Sequence, residues 1–129
     1  MAVFTEAERA YLAGQHLARL ATASADGQPD VSPVGFALDG DAIVSGGLDL
    51  TKTVRYRHLQ DNPRATLVID DLETVDPWAP RGLKVRGPAS LEESGGGLRI
   101  RITPETVWSW GINEDAPTHF GRIEKRQVR

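Results

Sequence analysis

Three cations lie close together in the segment TKTVRYRHLQDNPRATL, which spans residues 51–67. The first half of this segment predicts a short helix, an Asn-Pro pair ends it, and an apolar strand follows. Lys52, Arg55 and Arg57 fall in or near the first turns, where backbone N–H groups lack intrahelical partners and the helix dipole is already positive. A phosphate bound there would accept hydrogen bonds from the N–H groups and the side chains together. The alternative interpretation is a solvated basic face.

Self-contained catalytic chemistry is not visible in the sequence. The three histidines are far apart along the chain: His16, His58 and His119. Neither a His-Glu-x-x-His zinc motif nor a Gly-x-Ser-x-Gly nucleophile motif is present. Adjacent carboxylates such as Asp70-Asp71 are more typical of solvated loops than of metal sites. We therefore assign no catalytic residue and no metal site, and the nearest glycine-rich turn to the cations, Ser45-Gly46-Gly47, lacks the spacing of known phosphate-binding loops.

Composition limits the class of protein. The 129 residues include 40% hydrophobic and 26% charged residues, which predicts one globular domain spanning residues 1–129. A formal net charge of −3 and a pI near 5.6 argue against nucleic acid as a partner. The chain has no cysteine, no apolar stretch long enough to span a membrane and no signal-peptide pattern at its start. We expect a cytoplasmic protein without a membrane partner.

The elements that must position the cations are mostly strands. A capping box from Thr5 to Glu8 predicts a helix that stops at Gly14. Turn signals and apolar alternation predict strands over residues 16–24, 29–38, 42–46, 65–70, 83–91, 98–103 and 107–112. Six or seven short strands without βαβ alternation predict a mainly β fold, an antiparallel barrel with short helices. The polar remainder of the chain to Arg129 is expected to be loosely held.

A protein with a place for phosphate but few catalytic side chains is typical of a cofactor enzyme. The sequence resembles the pyridoxamine 5'-phosphate oxidase-like split-barrel family, in particular its actinobacterial branch of flavin- or F420-dependent oxidoreductases. Four stretches in order carry the resemblance: LARLATASADGQPDVSPVGF at 17–36, TKTVRYRHLQDNPRATLVIDD at 51–71, DPWAPRGLKVRGPASL at 76–91 and IRITPETVWSWGI at 100–112.

The resemblance implies an FMN-binding-like split barrel that forms a homodimer, with two cofactor sites at the dimer interface. It places the phosphate against Lys52, Thr53, Arg55 and Arg57, and the ring system along Ser32, Pro33, Val34 and Gly35. The family usually has lysine at the position of Arg55 and asparagine at that of His58. Arginine keeps the charge but binds phosphate bidentately where lysine acts as a point charge. Gly35 would permit close approach of a ring, or would mark a bulge or bend.

The tryptophans and remaining arginines are the other candidate contacts. Trp108 and Trp110 share one face if residues 107–112 form a strand, and we expect them to pack in the core or at the dimer interface. Trp78 and Arg81, in a loop, are predicted to reach the cofactor. An acidic cofactor tail would need further cations, and four are available: Arg81, Arg86, Arg99 and Arg101. For Arg99 and Arg101 the alternative is the solvent-exposed face of a strand.

The resemblance implies an F420-dependent oxidoreductase that passes hydride to a small conjugated organic substrate. FMN is the alternative cofactor, because both cofactors present a ribityl phosphate and only F420 carries an acidic lactyl-glutamyl tail. Two other functions stay open at this point. The protein could be a non-catalytic flavin or F420 carrier or sensor, or a structural barrel without a ligand.

Overall fold

The computed structural model describes residues 2–47, 49–113 and 122–129. These residues form two α-helices, α1 (Glu6–Ala13) and α2 (Val54–Asp61), and a 3-10 helix over Leu50–Lys52. They also form nine strands: β1 (Leu17–Ala23), β2 (Pro29–Gly35), β3 (Ala37–Asp39), β4 (Ala42–Ser45), β5 (Arg64–Leu72), β6 (Pro80–Ser94), β7 (Gly97–Ile102), β8 (Thr106–Trp110) and β9 (Glu124–Gln127). The predicted mainly β class is confirmed. Neither α-helix is long and apolar enough to cross a lipid bilayer.

Every strand pairing is antiparallel, and the order of strands is β2-β1-β5-β6-β7-β4-β3, with β8 on β6 and β9 on β8. Strand β6 takes part in both halves of the sheet: its residues up to Pro88 pair with β5, and those from Ala89 onward pair with β7. Gly87 lies at this change of partner. A Cβ there would meet the carbonyl oxygen of Thr103 at 1.9 Å, so only glycine permits this close approach.

The core lies on one face of the strands. The inward-facing residues that are wholly buried include Ala18, Ile43, Ile69, Leu83, Val85, Ile100, Ile102 and Val107. Burying each such Val, Leu or Ile contributes about 1.5–3 kcal/mol to stability. The intervening residues of β7, Arg99 and Arg101, keep to the outer face, as the period of two predicts.

The N-terminal helix forms as predicted. The hydroxyl of Thr5 accepts a hydrogen bond from the Glu8 N–H at 3.1 Å, and Glu8 Oε1 accepts one from the Thr5 N–H at 3.0 Å. These two bonds satisfy two of the free N–H groups at the helix start. The helix ends before Gly14, its C-cap residue.

The expectation of a loosely held tail is wrong for residues 124–127. These residues form β9, which pairs with β8 from Thr106 opposite Gln127 to Ser109 opposite Glu124. The strand lacks apolar periodicity because polar contacts hold it, chiefly those of Arg126 with Glu8 and with the carbonyl oxygen of Val3. Residues 114–121, including His119, lie outside the described residues.

Nine strands exceed the six or seven that we predicted, for two reasons. The tail contributes β9, and the predicted strand over residues 29–38 is divided at Phe36 into β2 and β3. The Ser45 hydroxyl donates a hydrogen bond of 2.6 Å to the Gly35 carbonyl beside this break. Gly35 is therefore the last residue of β2.

Candidate cofactor-binding site

The start of α2 is built around Thr53, its N-cap residue. The Thr53 hydroxyl accepts a hydrogen bond from the Tyr56 N–H at 3.2 Å and donates one to the Leu50 carbonyl at 2.6 Å. Val54 and Arg55 come first in the helix, where their N–H groups have no intrahelical acceptor. The helix start therefore presents backbone donors beside two arginines of its own first turns, which suits an anion.

Arg55 is the best-positioned cation of the segment. Its side chain is half-buried, and its Nε is the one buried side-chain polar atom without a hydrogen-bond partner in the described part of the chain. A buried, unpaired donor on a charged group is costly, so an acceptor is expected there. The guanidinium also packs against Gly47, where an added Cβ would lie 3.2 Å from Arg55 Nη2. The glycine turn that lacked a known motif is thus part of the site.

We expect Gly47→Ala to weaken cofactor binding as well as stability. Gly47 has a φ of +146°, which side chains rarely adopt, and its Cβ would press on Arg55. The strain should lower the free energy of unfolding by about 1–3 kcal/mol. Denaturant unfolding and cofactor titration would measure the two effects. Gly46→Ala is the matched control, because among the described residues a Cβ at Gly46 meets only the Leu98 carbonyl oxygen, at 4.0 Å. An equal loss of cofactor affinity in both variants would contradict this role of Gly47.

Lys52 and Arg57 approach the helix start from solvent. Lys52 precedes α2, in the 3-10 helix, and its side chain is 82% exposed and 3.1 Å from Asp49. Arg57 is also exposed. An anion at the helix start would have to compete with Asp49 for Lys52. The assignment of Lys52, Thr53, Arg55 and Arg57 to a phosphate stays a prediction, in which Thr53 and Arg55 are the two residues already fixed in place.

Strand β2, predicted to lie along a ring system, is an edge strand that pairs only with β1 in the described residues. The side chain of Val34 is 6% exposed and belongs to the core, so Val34 can meet a ligand only through its backbone. Ser32 is half-buried, and Pro33 and Gly35 are exposed on the other face. Among the described residues, a Cβ at Gly35 would meet nothing within 4 Å. Neither backbone conformation nor packing within the described part of the chain therefore requires a glycine there.

Trp78 and Arg81 differ in how they are held. Trp78 is 52% exposed in the loop between β5 and β6. Arg81 is already engaged, since its Nε and Nη2 donate to the two carboxylate oxygens of Asp71 at 2.7 and 3.0 Å. This bidentate contact, more than any other, holds the pKa of Asp71 below its ordinary value. The Tyr11 hydroxyl donates to the same carboxylate, and burial followed by that bond raises the pKa of Tyr11. The ligand roles of Trp78 and Arg81 stay predictions.

The opposite end of α2 is fixed to β1 by two side chains to which the sequence assigned no role. His58 Nδ1 lies 3.0 Å from the Thr22 hydroxyl, and Asn62 Nδ2 donates to the Ala23 carbonyl at 3.3 Å. A cleft of about 290 Å³ opens beside Asn62 and is lined by Ala21, Thr22, Ala23, Pro29, Arg64, Ala65, Thr66 and Arg86. These residues come from four separate stretches of the chain, so only the strand register could have shown that they meet.

Comparison with known proteins agrees with this geometry. The family model for pyridoxamine 5'-phosphate oxidase matches residues 4–111. A 5a,11a-dehydrotetracycline/5a,11a-dehydrooxytetracycline reductase from Streptomyces rimosus is 34% identical over 125 residues, which cover 89% of this chain and 88% of the relative. The conserved hypothetical protein Rv2991 from Mycobacterium tuberculosis has a TM-score of 0.70 at 21% identity, covering 84% of this chain and 85% of that one. A heme binding protein from Mycobacterium smegmatis has a TM-score of 0.73 at 21% identity, covering 96% and 58%. The resemblance read from the sequence is confirmed, and the chain belongs to the pyridoxamine 5'-phosphate oxidase family.

Proposed function

We propose that this protein is an F420-dependent reductase that acts on a small conjugated organic molecule. Family membership and the reductase relative support an oxidoreductase. The cofactor site is proposed mainly from Arg55, a half-buried cation whose Nε has no hydrogen-bond partner among the described residues. Arg55 lies at the start of a helix whose first N–H groups lack intrahelical acceptors. A phosphate of the cofactor supplies the acceptor that this arrangement lacks.

Different residues of the site would bind the phosphate and the ring system of such a cofactor. Arg55 and the first N–H groups of α2 bind the phosphate, with Thr53 fixing the helix start and Lys52 and Arg57 adding charge from solvent. The bound deazaflavin supplies the hydride, and the protein supplies orientation. Ser32 and the backbone of Pro33 to Gly35 form the wall for the ring. A Cβ at Gly35 would contact none of the described residues, which supports room for a flat ring against that backbone.

A second copy of the chain completes the site in this proposal. Leu17 and Val31, on adjoining strands next to the proposed ring wall, are 52% and 62% exposed, and such apolar exposure supports cover by a partner. The free edge of β2 offers further backbone groups to a neighbour. We propose a cytoplasmic homodimer with two sites at its interface, in which Trp78, in the loop before β6, and Arg81, at the start of β6, lie toward the cofactor.

The name of the relative supports a proposal for the substrate class. That protein is named as a reductase of two dehydro compounds, and we propose that the substrate here is also an unsaturated small molecule. A site that recognises a ribityl phosphate accepts FMN as well, so an FMN-dependent oxidoreductase is the second candidate. The carrier or sensor function needs the same binding without turnover.

Titration of the purified protein with F420 and with FMN, separately, tests the proposal. We expect F420 to bind more tightly, and we expect the protein loaded with reduced F420 to oxidise it when a dehydro acceptor is added. Tight F420 binding with no turnover of any acceptor in a panel of conjugated compounds would make the protein a carrier. Preferential FMN binding would change the cofactor, and binding of neither would reject the site.

A further inference from the structure

Trp108, on the outer face of β8, is surrounded by three cations. Lys84 Nζ lies 4.2 Å from the centroid of its ring, Arg86 Cζ 4.8 Å and Lys125 Nζ 5.6 Å. The strand register produces this arrangement, because Lys84 on β6 and Lys125 on β9 lie opposite Trp108 on its two sides. We call these four residues the Trp108 patch. The indole is half-buried and faces away from the core, to which the neighbouring Val107 and Ser109 belong.

Among the residues that the structure describes, the cations of the Trp108 patch have no carboxylate partner. In the described ranges of the chain, none of Lys84, Arg86 and Lys125 forms a salt bridge. Arginines on other outer faces are paired in the usual way: Arg9 with Asp41, Arg19 with Asp70, Arg64 with Glu105 and Arg81 with Asp71. Three like charges around one ring repel one another, and the ring offsets this only in part. In a chain with a net charge of −3, such a patch points to an anionic ligand.

The four arginines predicted to bind an acidic cofactor tail differ in whether they form salt bridges. Arg99 and Arg101 both bind Glu92 and Asp39, and Arg81 binds Asp71. Their positive charges are therefore offset by carboxylates of the chain itself. Of the four arginines that the sequence offered, Arg86 alone has no salt bridge among the described residues. The structure shows two further cations beside Arg86 that have no salt bridge among the described residues, Lys84 and Lys125.

A continuous surface joins the Trp108 patch to the end of α2. Arg86 belongs to the patch and also lines the cleft beside Asn62, the C-cap residue of α2. An eight-residue helix is about 12 Å long. A ligand chain that leaves a phosphate at the start of α2 and follows the helix reaches this cleft after about one helix length.

We propose that the Trp108 patch binds a flexible chain of closely spaced carboxylates. This inference rests on the proposed function, under which that chain is the lactyl-glutamyl tail of F420. Lysine ammonium groups act as point charges and tolerate a flexible ligand, whereas Arg86 can hold one carboxylate bidentately. FMN has no such tail, so the patch makes the protein discriminate between the two cofactors.

The test compares F420 with the same deazaflavin lacking its glutamyl residues, by calorimetric titration at low ionic strength. In the wild-type protein we expect the tail to tighten binding by about tenfold, the scale of one charge-assisted hydrogen bond. In Lys84→Gln/Lys125→Gln, where Arg86 is the one patch cation left, we expect most of this advantage to be lost, with the affinity for the form without a tail unchanged. Salt should reduce the advantage of the tail, because exposed charges are screened.

The double variant Arg9→Gln/Arg19→Gln is the matched control, because it also removes two exposed positive charges, here from ion pairs outside the patch. The inference is overturned if the tail gives no advantage in the wild-type protein, or if both double variants lose the advantage equally. Triglutamate, titrated alone, separates this inference from the cofactor proposal. If neither deazaflavin binds but triglutamate binds the wild-type protein and not Lys84→Gln/Lys125→Gln, the cofactor proposal fails and the patch stands as a polycarboxylate site.

Discussion

Arg126→Met is expected to lower the free energy of unfolding by about 3–5 kcal/mol, the usual result of leaving a buried charge without its partner. The charge concerned is that of Glu8, whose side chain is wholly buried. Arg126 binds both of its carboxylate oxygens, with Nη1 3.0 Å from Oε2, and also donates to the Val3 carbonyl at 2.7 Å. Methionine keeps most of the side-chain volume and removes these donors. Chemical denaturation would measure the loss.

The remaining contacts of Glu8 cannot replace Arg126. Asn113 Nδ2 donates to Glu8 Oε2 at 2.8 Å, and the Thr5 N–H donates to Oε1. Burial by itself raises the pKa of Glu8, but the hydrogen bonds from Arg126, Asn113 and Thr5 together outweigh it and lower the pKa below the usual 4.5. Without Arg126 the effect of burial would dominate, and Glu8 would take up a proton at higher pH.

Two further variants test whether the buried charge is the cause. Glu8→Gln combined with Arg126→Met should be more stable than Arg126→Met alone, because no buried charge remains. Arg9→Met breaks an ion pair whose two side chains are 41% and 54% exposed, and it should cost no more than about 1 kcal/mol. If Arg126→Met is as mild as Arg9→Met, Glu8 does not depend on Arg126.

We expect the ion pair of Glu8 with Arg126 to make the stability of the protein depend on pH. The pKa of Glu8 is lower in the folded chain than in the unfolded chain, so the folded state binds fewer protons. The stability that the pair contributes is fully present above about pH 4.5 and is lost as the pH falls through the folded-state pKa. Asp71, whose pKa the Arg81 contact lowers, acts in the same direction. Glu8→Gln should therefore lose less stability on acidification than the wild-type protein.

The sequence predicted those parts of the fold whose signals are local. The capping box joins Thr5 to Glu8 within three residues, and the turn between β1 and β2 contains the Asp-Gly pair that favours a hairpin. The β9 strand was missed because Glu8 and Arg126, which hold it, are 118 residues apart in sequence. No pattern near Arg126 distinguishes a buried arginine from a solvated one.

In the candidate site, too, the sequence predicted local features and missed contacts between distant residues. Arg55 and Thr53 were visible because a helix start is a local feature, whereas the contact of Arg55 with Gly47 depends on how a loop folds back. The Trp108 patch needs the register of three strands, which come from separate parts of the chain. The ion pair of Asp71 with Arg81 was not predicted either, because the two residues become neighbours only through the pairing of β5 with β6.

Arg55→Ala combined with Lys52→Ala is expected to weaken cofactor binding by about 2–4 kcal/mol, the scale of charge-assisted hydrogen bonds to a phosphate. The two residues should contribute unequally. Arg55 is half-buried with an unsatisfied Nε, so its hydrogen bond to a phosphate forms away from bulk water. Lys52 is 82% exposed and already pairs with Asp49, so Lys52→Ala alone should cost about 1 kcal/mol or less. Calorimetric titration of each single variant and the double variant would separate them.

A lysine at position 55 tests whether the hydrogen-bonding geometry of Arg55, and not its charge alone, contributes to cofactor affinity. Arg55→Lys places the residue that the family usually has at this position, and it should keep the charge while losing the second hydrogen bond of a bidentate contact. We therefore expect its affinity to lie between those of the wild-type protein and Arg55→Ala. Arg9→Ala removes a charge from an exposed ion pair away from β2 and α2 and should leave affinity unchanged. Wild-type affinity in a folded Arg55→Ala/Lys52→Ala protein would mean that no phosphate binds at the start of α2, because the unpaired guanidinium would then have no role in holding the ligand.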